Sequence, residues 1–178
     1  GRGLRRSPFW QREQELGGYF MELAGWERAH GYAANEHLLE QYADQVPVRE
    51  NEWDNRHFWR VSNAEHLAMS DNAGMINLSH FAVYDISGAD AQILMEYACV
   101  AKVGGNTAIG KGVYTHFLDH AGGIRADFTV IRLAADRFRL VDGADAGNRD
   151  HLWLSRMAQD KGWNVYIEDR SDHMACLG

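Results

Sequence analysis

Asp127 is the residue in this chain whose position most clearly invites chemistry. It sits in "IRADFTVIRL", residues 124–133, a run that alternates as a β-strand does. Residues two apart in a strand share a face, so Arg125, Asp127, Thr129, Ile131 and Leu133 point one way. Ile124, Ala126, Phe128 and Val130 point the other. Both sets are largely apolar, which predicts that Asp127 is at least partly buried. A buried carboxylate needs a partner or a task. Arg125, on the same face, is one available partner, and a structural salt bridge between the two is the competing account. Tyr114, on the preceding strand, can reach the same face across a hairpin, where cross-strand neighbours lie roughly 5 Å apart. Its ring would add a flat apolar surface and its hydroxyl a hydrogen bond.

Other chemical candidates are less well supported by their surroundings. His116 and His120 form an HxxxH pair, but at a strand-to-turn junction with no third ligand at a recognisable spacing, so no metal site is expected. Ser79, His80 and Asp85 lack a nucleophile elbow. "AKVGGNTAIGKG" is glycine-rich yet matches neither phosphate-binding pattern, and reads as a loop before a strand.

The elements that position Asp127 are legible around it. "GVYTHFLD", "IRADFTVIRL" and "RFRLVDG" are strand-like, and their connections "HAGG" and "AADR" are short enough for hairpins, which predicts an antiparallel meander. "GNRDHLWLSRMAQDKG" reads as a helix closed by Lys161 and Gly162. "ADAQILMEYACV" reads as another, with Ile93, Leu94, Tyr97 and Ala98 as its apolar stripe. "SNAEHLAMSDNAG" carries a Ser62–Glu65 capping box and a Gly74 stop. "MINLSHFAVYDISG", "WNVYIED" and "HMACL" are further extended segments. Residues 1–60 are expected to be mainly helical. Ser7-Pro8 would open one helix, loosened or split at Gly17-Gly18, and Asn35 would open another. "ENEWDNRHFWRV" shows no clear period. The predicted class is α+β, an antiparallel β-meander with packed helices.

Composition narrows the function. The chain of 178 residues is 46% hydrophobic with two prolines, which suits a globular protein with a core. Its net charge of −7 argues against a nucleic-acid partner. The cluster Arg2, Arg5 and Arg6 is read as a solvated tail. No apolar run is long enough to span a membrane, and none resembles a secretory signal. Cys99 and Cys176 fit neither metal spacing nor a disulfide framework, which suggests a reducing, cytoplasmic setting. The chain has no initiator Met and stops within an apolar stretch, "DHMACLG", so it is read as a fragment. A fragment of this kind is expected to fold incompletely, or to self-associate as a homo-oligomer across an open strand edge.

Three segments resemble the glycine-cleavage T-protein (aminomethyltransferase) family: "GMINLSHFAVYDISGADA", "GVYTHFLDHAGGIRADFTVIRL" and "RFRLVDGADAGNRDHLWL". A fourth, "RRSPFWQREQELGGYFMELAGWER", is similar to the segment that joins the FAD-binding and folate-binding halves of dimethylglycine and sarcosine dehydrogenases. The resemblance runs from about Ser7 to the end. It implies the N-terminal part of a folate-binding fold, with residues 1–60 as a connecting segment and 61–178 as the incomplete folate-binding domain. It also implies tetrahydrofolate as cofactor, a small methylated or aminomethyl amine as donor, methylene-tetrahydrofolate as product, and an FAD domain upstream.

Carried over by position, the family's essential aspartate falls on Asp127. Its strand tyrosine falls on Tyr114, and a folate-lining valine on Val141. Ile131 stands where the T-proteins commonly have tyrosine, and Gly143 where they have asparagine. Both departures point away from glycine cleavage itself and toward the dehydrogenase-type branch. Thr129, on the face of Asp127, completes the implied folate contacts with Tyr114, Ile131, Val141 and Gly143. Oxidation of an N-methylamine gives a cationic iminium that water hydrolyses, so a fixed anion in a water-excluding site suits this transfer. A non-catalytic folate-binding or docking module of the same fold is the alternative. The family's later folate ligands fall beyond Gly178.

Overall fold

The computed structural model describes residues 2–49 and 58–178, which fall into two compact units. The first takes in the chain through Ser79 together with Ala175–Gly178; the second runs from His80 to Met174.

In the first unit the expected long N-terminal helix is replaced by helix and hairpin. Strand β1 (Arg5–Arg6) precedes α1 (Trp10–Glu15), which ends after six residues. Gly17 then takes φ +71°, a left-handed conformation that stops the helix. A Cβ at Gly17 would lie 2.7 Å from that of Ala33. The alternating "GYFMEL" and "WERAHGY" become β2 (Gly18–Leu23) and β3 (Trp26–Tyr32), joined through Ala24 and Gly25, both at positive φ. Two consecutive positive φ angles match the twist of a tight hairpin. The described residues of 1–60 are therefore not mainly helical. The strands pair in the order β1-β3-β2.

The arginine cluster is no free tail. Arg2 is ion-paired at 2.7 Å with the buried Glu27, while Arg5 and Arg6 lie over the rings of Trp26 and Trp10. Helix α2 (Leu38–Gln41) is a single turn. Helix α3 (Trp59–Asp71) starts before the expected cap. Ser62 and Glu65 form no capping box: the Ser62 hydroxyl donates to the His30 carbonyl, and Glu65 accepts from the Tyr32 amide at 3.0 Å and the Asn35 side chain at 2.8 Å. Most of "ENEWDNRHFWRV", residues 50–57, lies outside the described residues. "HMACL" contributes a single bridge, Leu177 to Asn77, rather than a strand.

The second unit holds the anticipated meander within a five-stranded antiparallel sheet. Its elements are β4 (Ala82–Ser87), α4 (Ala91–Ala98), β5 (Gly112–Leu118), β6 (Ile124–Ala134), β7 (Arg137–Asp142), α5 (Gly147–Lys161) and β8 (Tyr166–Asp169). The sheet order is β5-β6-β7-β4-β8. In β6 the core-facing residues are Ala126, Phe128 and Val130; in β7 they are Phe138 and Leu140. They join Leu94 and Met95 of α4 and Leu154 and Ala158 of α5 in one apolar cluster. The buried side of α4 is Ala91, Leu94, Met95 and Ala98, so the expected stripe was rotated: Ile93 and Tyr97 are exposed. Helix α5 closes as anticipated, with Gly162 at φ +67°.

Candidate functional site

The face of the sheet opposite the core carries Asp127. Ala126, Phe128 and Val130 of β6 fill the core, which leaves Arg125, Asp127, Thr129 and Ile131 on the other side. Asp127 is exposed, contrary to the expectation of burial. Two largely apolar faces could not show which one the helices would cover. The exposure removes the desolvation penalty that a buried carboxylate would carry.

Asp127 lies on a cavity of about 440 Å³, within the size range of small-molecule sites. Tyr114 from β5, Thr129 from β6, Val141 from β7 and Gly143 just beyond β7 line it with Asp127. Ile131 does not. Its cross-strand neighbours are Gly112 and Arg139, and Arg139 pairs with the buried Asp85 at 2.7 Å, away from the cavity.

Register explains how Tyr114 meets Asp127. Directly opposite Asp127 stands His116, and opposite Tyr114 stands Thr129, so Tyr114 and Asp127 are diagonal neighbours. The tyrosine is long enough to cross that gap. Its hydroxyl donates to Asp127 Oδ2 at 2.8 Å. That hydrogen bond to a carboxylate holds the Tyr114 phenol above its usual pKa of 10.0. Its ring also meets His116 edge-on, 5.1 Å between centroids.

Among the described residues no ion pair joins Arg125 to Asp127. The Arg125 guanidinium lies over the Trp153 ring instead, 4.2 Å from its centre. The carboxylate is bound to the tyrosine and open to the cavity, an arrangement suited to holding a cation or taking up a proton.

Sequence reasoning missed a second group at this cavity. Asp142 ends β7 in phase with Phe138 and Leu140, so its side chain falls on the core side and is 3% exposed. That phase was the available signal. Asp150 of α5, 1% exposed, is gripped by Arg149 through two bonds of 3.0 Å. The other site of contact for Arg149 is the Arg125 carbonyl, at 2.7 Å. Asp142, Arg125 and Arg149 all line the cavity. Burial, followed by the neighbouring Asp150, pushes Asp142 up to about 7.

Fold and site together define an α+β protein with a ligand-sized cavity beside an antiparallel sheet, lined from β5, β6, the end of β7 and the start of α5. The chain belongs to the family described as the GCVT N-terminal domain, which matches residues 9–178. It is 31% identical over its whole length to a 4-methylaminobutanoate oxidase (formaldehyde-forming) of Paenarthrobacter nicotinovorans, and spans 20% of that protein. Over 169 residues, 95% of the chain, it is 32% identical to an aminomethyltransferase of Bordetella pertussis, and spans 39% of it. The solved glycine cleavage system aminomethyltransferase T of Bartonella henselae superposes on 94% of the chain with a TM-score of 0.67 at 21% identity, covering 38% of that structure. The expected α+β class and the N-terminal portion of the aminomethyltransferase fold are thus what the chain has. The chain spans well under half the length of these relatives.

Proposed function

We propose that the chain is part of an enzyme that moves a one-carbon unit from a methylated or aminomethyl amine to tetrahydrofolate. Residues 61–178 would form the N-terminal part of the folate-binding domain, with residues 1–60 leading into it. The observation that carries this reading is the Tyr114–Asp127 hydrogen bond at the cavity, in a chain of this family.

The lining residues suit the cofactor chemically. A carboxylate can accept from amino and ring N–H groups, the Tyr114 ring offers a flat face, and Val141 and Thr129 add mixed apolar and polar surface. When bound, tetrahydrofolate supplies the nitrogens that receive the one-carbon unit. Asp127 then has two tasks: to hold the cationic donor by its charge, and to accept the proton released on transfer. Tyr114 fixes the orientation of that carboxylate through its donated hydrogen bond. Because Asp127 faces open space, its charge acts strongly only once a ligand has displaced water from the cavity.

The formaldehyde-forming oxidase relative supports an amine-demethylating parent protein, and a flavin site in a separate domain of that parent is part of the proposal. In such a protein the oxidation and the transfer occur at different places, and the two can be separated by mutation.

Asp127→Asn keeps the side chain's shape and removes its charge. In the full-length protein we expect tetrahydrofolate-dependent transfer to fall by roughly a hundredfold or more, the usual scale for losing a general base or electrostatic group. Amine oxidation should be nearly unchanged. Assays of formaldehyde release and folate product from one reaction separate the two steps, and undiminished transfer in Asp127→Asn would falsify the assignment.

A further inference from the structure

Two aspartates with almost no exposure, Asp142 at the end of β7 and Asp150 at the start of α5, have side chains within reach of each other. Asp142 accepts from the Gly143 amide at 2.7 Å with Oδ1, and its Oδ2 is buried without a hydrogen-bond partner. Asp150 has both oxygens taken by Arg149. Two ionised carboxylates held this close, with one arginine committed to the second, would be strongly repulsive in a dry site. One proton on Asp142 relieves the repulsion and gives Oδ2 a partner, Asp150.

We infer that Asp142 keeps its proton on the buried Oδ2 in the folded protein, beside Asp150, and that this leaves Arg149 free to tie α5 to β6 at Arg125. The tie has a definite reach. Arg149 grips Asp150 on one side and the Arg125 carbonyl on the other, two residues before Asp127. The pair therefore acts as a positioning device for one end of the cavity. Its bearing on a bound cofactor rests on the function proposed above; the retained proton does not.

The surroundings leave Asp142 few other partners. Helix α5 presents Asp150 and Arg149, and Asp145 lies on the turn before it. From β6 the residue opposite is Phe128, and the Arg125 carbonyl is already bonded. From β4 the residue opposite is Ala82, with Tyr84 beyond it, its ring 5.1 Å from that of His151 on α5.

The pH dependence has a definite sign. Asp142 in the unfolded chain releases its proton near 3.8, whereas the folded value is about 7. The stability from the retained proton is fully present below about pH 4, and is lost as pH rises through about 7. Asp142→Asn imitates the protonated form, because the amide can donate to Asp150, and it should abolish that loss.

The test is an infrared titration of the purified full-length protein labelled with ¹³C at the aspartate carboxyls. It is paired with thermal melts of the wild type and Asp142→Asn from pH 4.5 to 8. We expect a protonated carboxyl signal in the folded wild type at pH 6 that fades through about pH 7. We also expect a Tm that falls by roughly 5 °C over the range in the wild type, against a flatter profile in Asp142→Asn. Asp85 and Asp119 are both held below the usual carboxylate range, by Arg139 and by the Gly123 amide, so neither supplies such a signal. No protonated carboxyl at pH 6, or identical Tm profiles in the two proteins, overturns the inference. Should Asp142→Asn not fold, the infrared titration of the wild type decides alone.

Discussion

Asp127 and Tyr114 illustrate how little of a site is a single residue. A carboxylate on an exposed strand face is commonplace, and a tyrosine two rungs along the partner strand is no rarer. Their chemistry comes from the 2.8 Å bond between them and the cavity they share. The bond fixes one carboxylate oxygen and leaves the other for a ligand. It also holds the tyrosine proton more tightly, since ionising Tyr114 would set two anions together. In a titration of ¹³C-labelled tyrosines by NMR, Tyr114 should ionise above the usual range in the wild type and move down toward it in Asp127→Asn. An unchanged Tyr114 titration would mean that the bond does not persist in solution. Tyr114→Phe should reduce transfer by about tenfold, less than the loss of Asp127, because the carboxylate stays and only its orientation is freed.

At the scale of elements, the hairpin of the first unit depends on backbone angles more than on side-chain packing. The segment "EQELGGYFMELAGWER" reads plausibly as one amphipathic helix with a weak point. The left-handed Gly17 ends α1, and the positive φ angles of Ala24 and Gly25 reverse the chain, so "YFMEL" pairs with "WERAH" instead. Gly17→Ala is the sharpest probe of this. It places a side chain at φ +71° and within 2.7 Å of the Ala33 Cβ. Strain of this kind costs about 1–3 kcal/mol. Denaturant unfolding of the full-length protein should show a loss of that size with an unchanged m-value; a loss under about 0.5 kcal/mol, the range of ordinary surface changes, would show that the turn adapts.

For the whole molecule, size frames what this chain can accomplish. It spans 20% of the oxidase and 39% of the aminomethyltransferase it matches, so the proposed transfer is to be tested in the full-length protein. Ligand binding to a native site raises stability in proportion to RT ln(1 + [L]/Kd). Tetrahydrofolate added to the full-length protein at about a hundred times its Kd should therefore stabilise it by about 2.7 kcal/mol. That is read as a Tm that climbs with the logarithm of ligand concentration. A Tm unmoved by millimolar tetrahydrofolate would remove folate from the proposal while leaving the family membership intact.

The strands around Asp127 and the closing helix were legible in the sequence because their signals are local. Alternation in β5, β6 and β7, two short connections, and a Lys-Gly helix end each specify structure within a few residues. So did the two-face division of β6, since a period of two assigns every side chain to one face or the other. Which face became the core was decided by α4 and α5, whose apolar residues cover Ala126, Phe128 and Val130 and leave Asp127 exposed. The choice of strand over helix for residues 16–28 came from the left-handed turns at Gly17 and at Ala24-Gly25, which let β2 pair with β3 and outweigh a weak helical preference. The Asp142–Asp150 pair joins residues from two elements across the turn that links them. Periodicity places Asp142 on the core side, but only the placement of α5 over the sheet brings a second carboxyl within its reach, the arrangement on which its proposed retained proton rests.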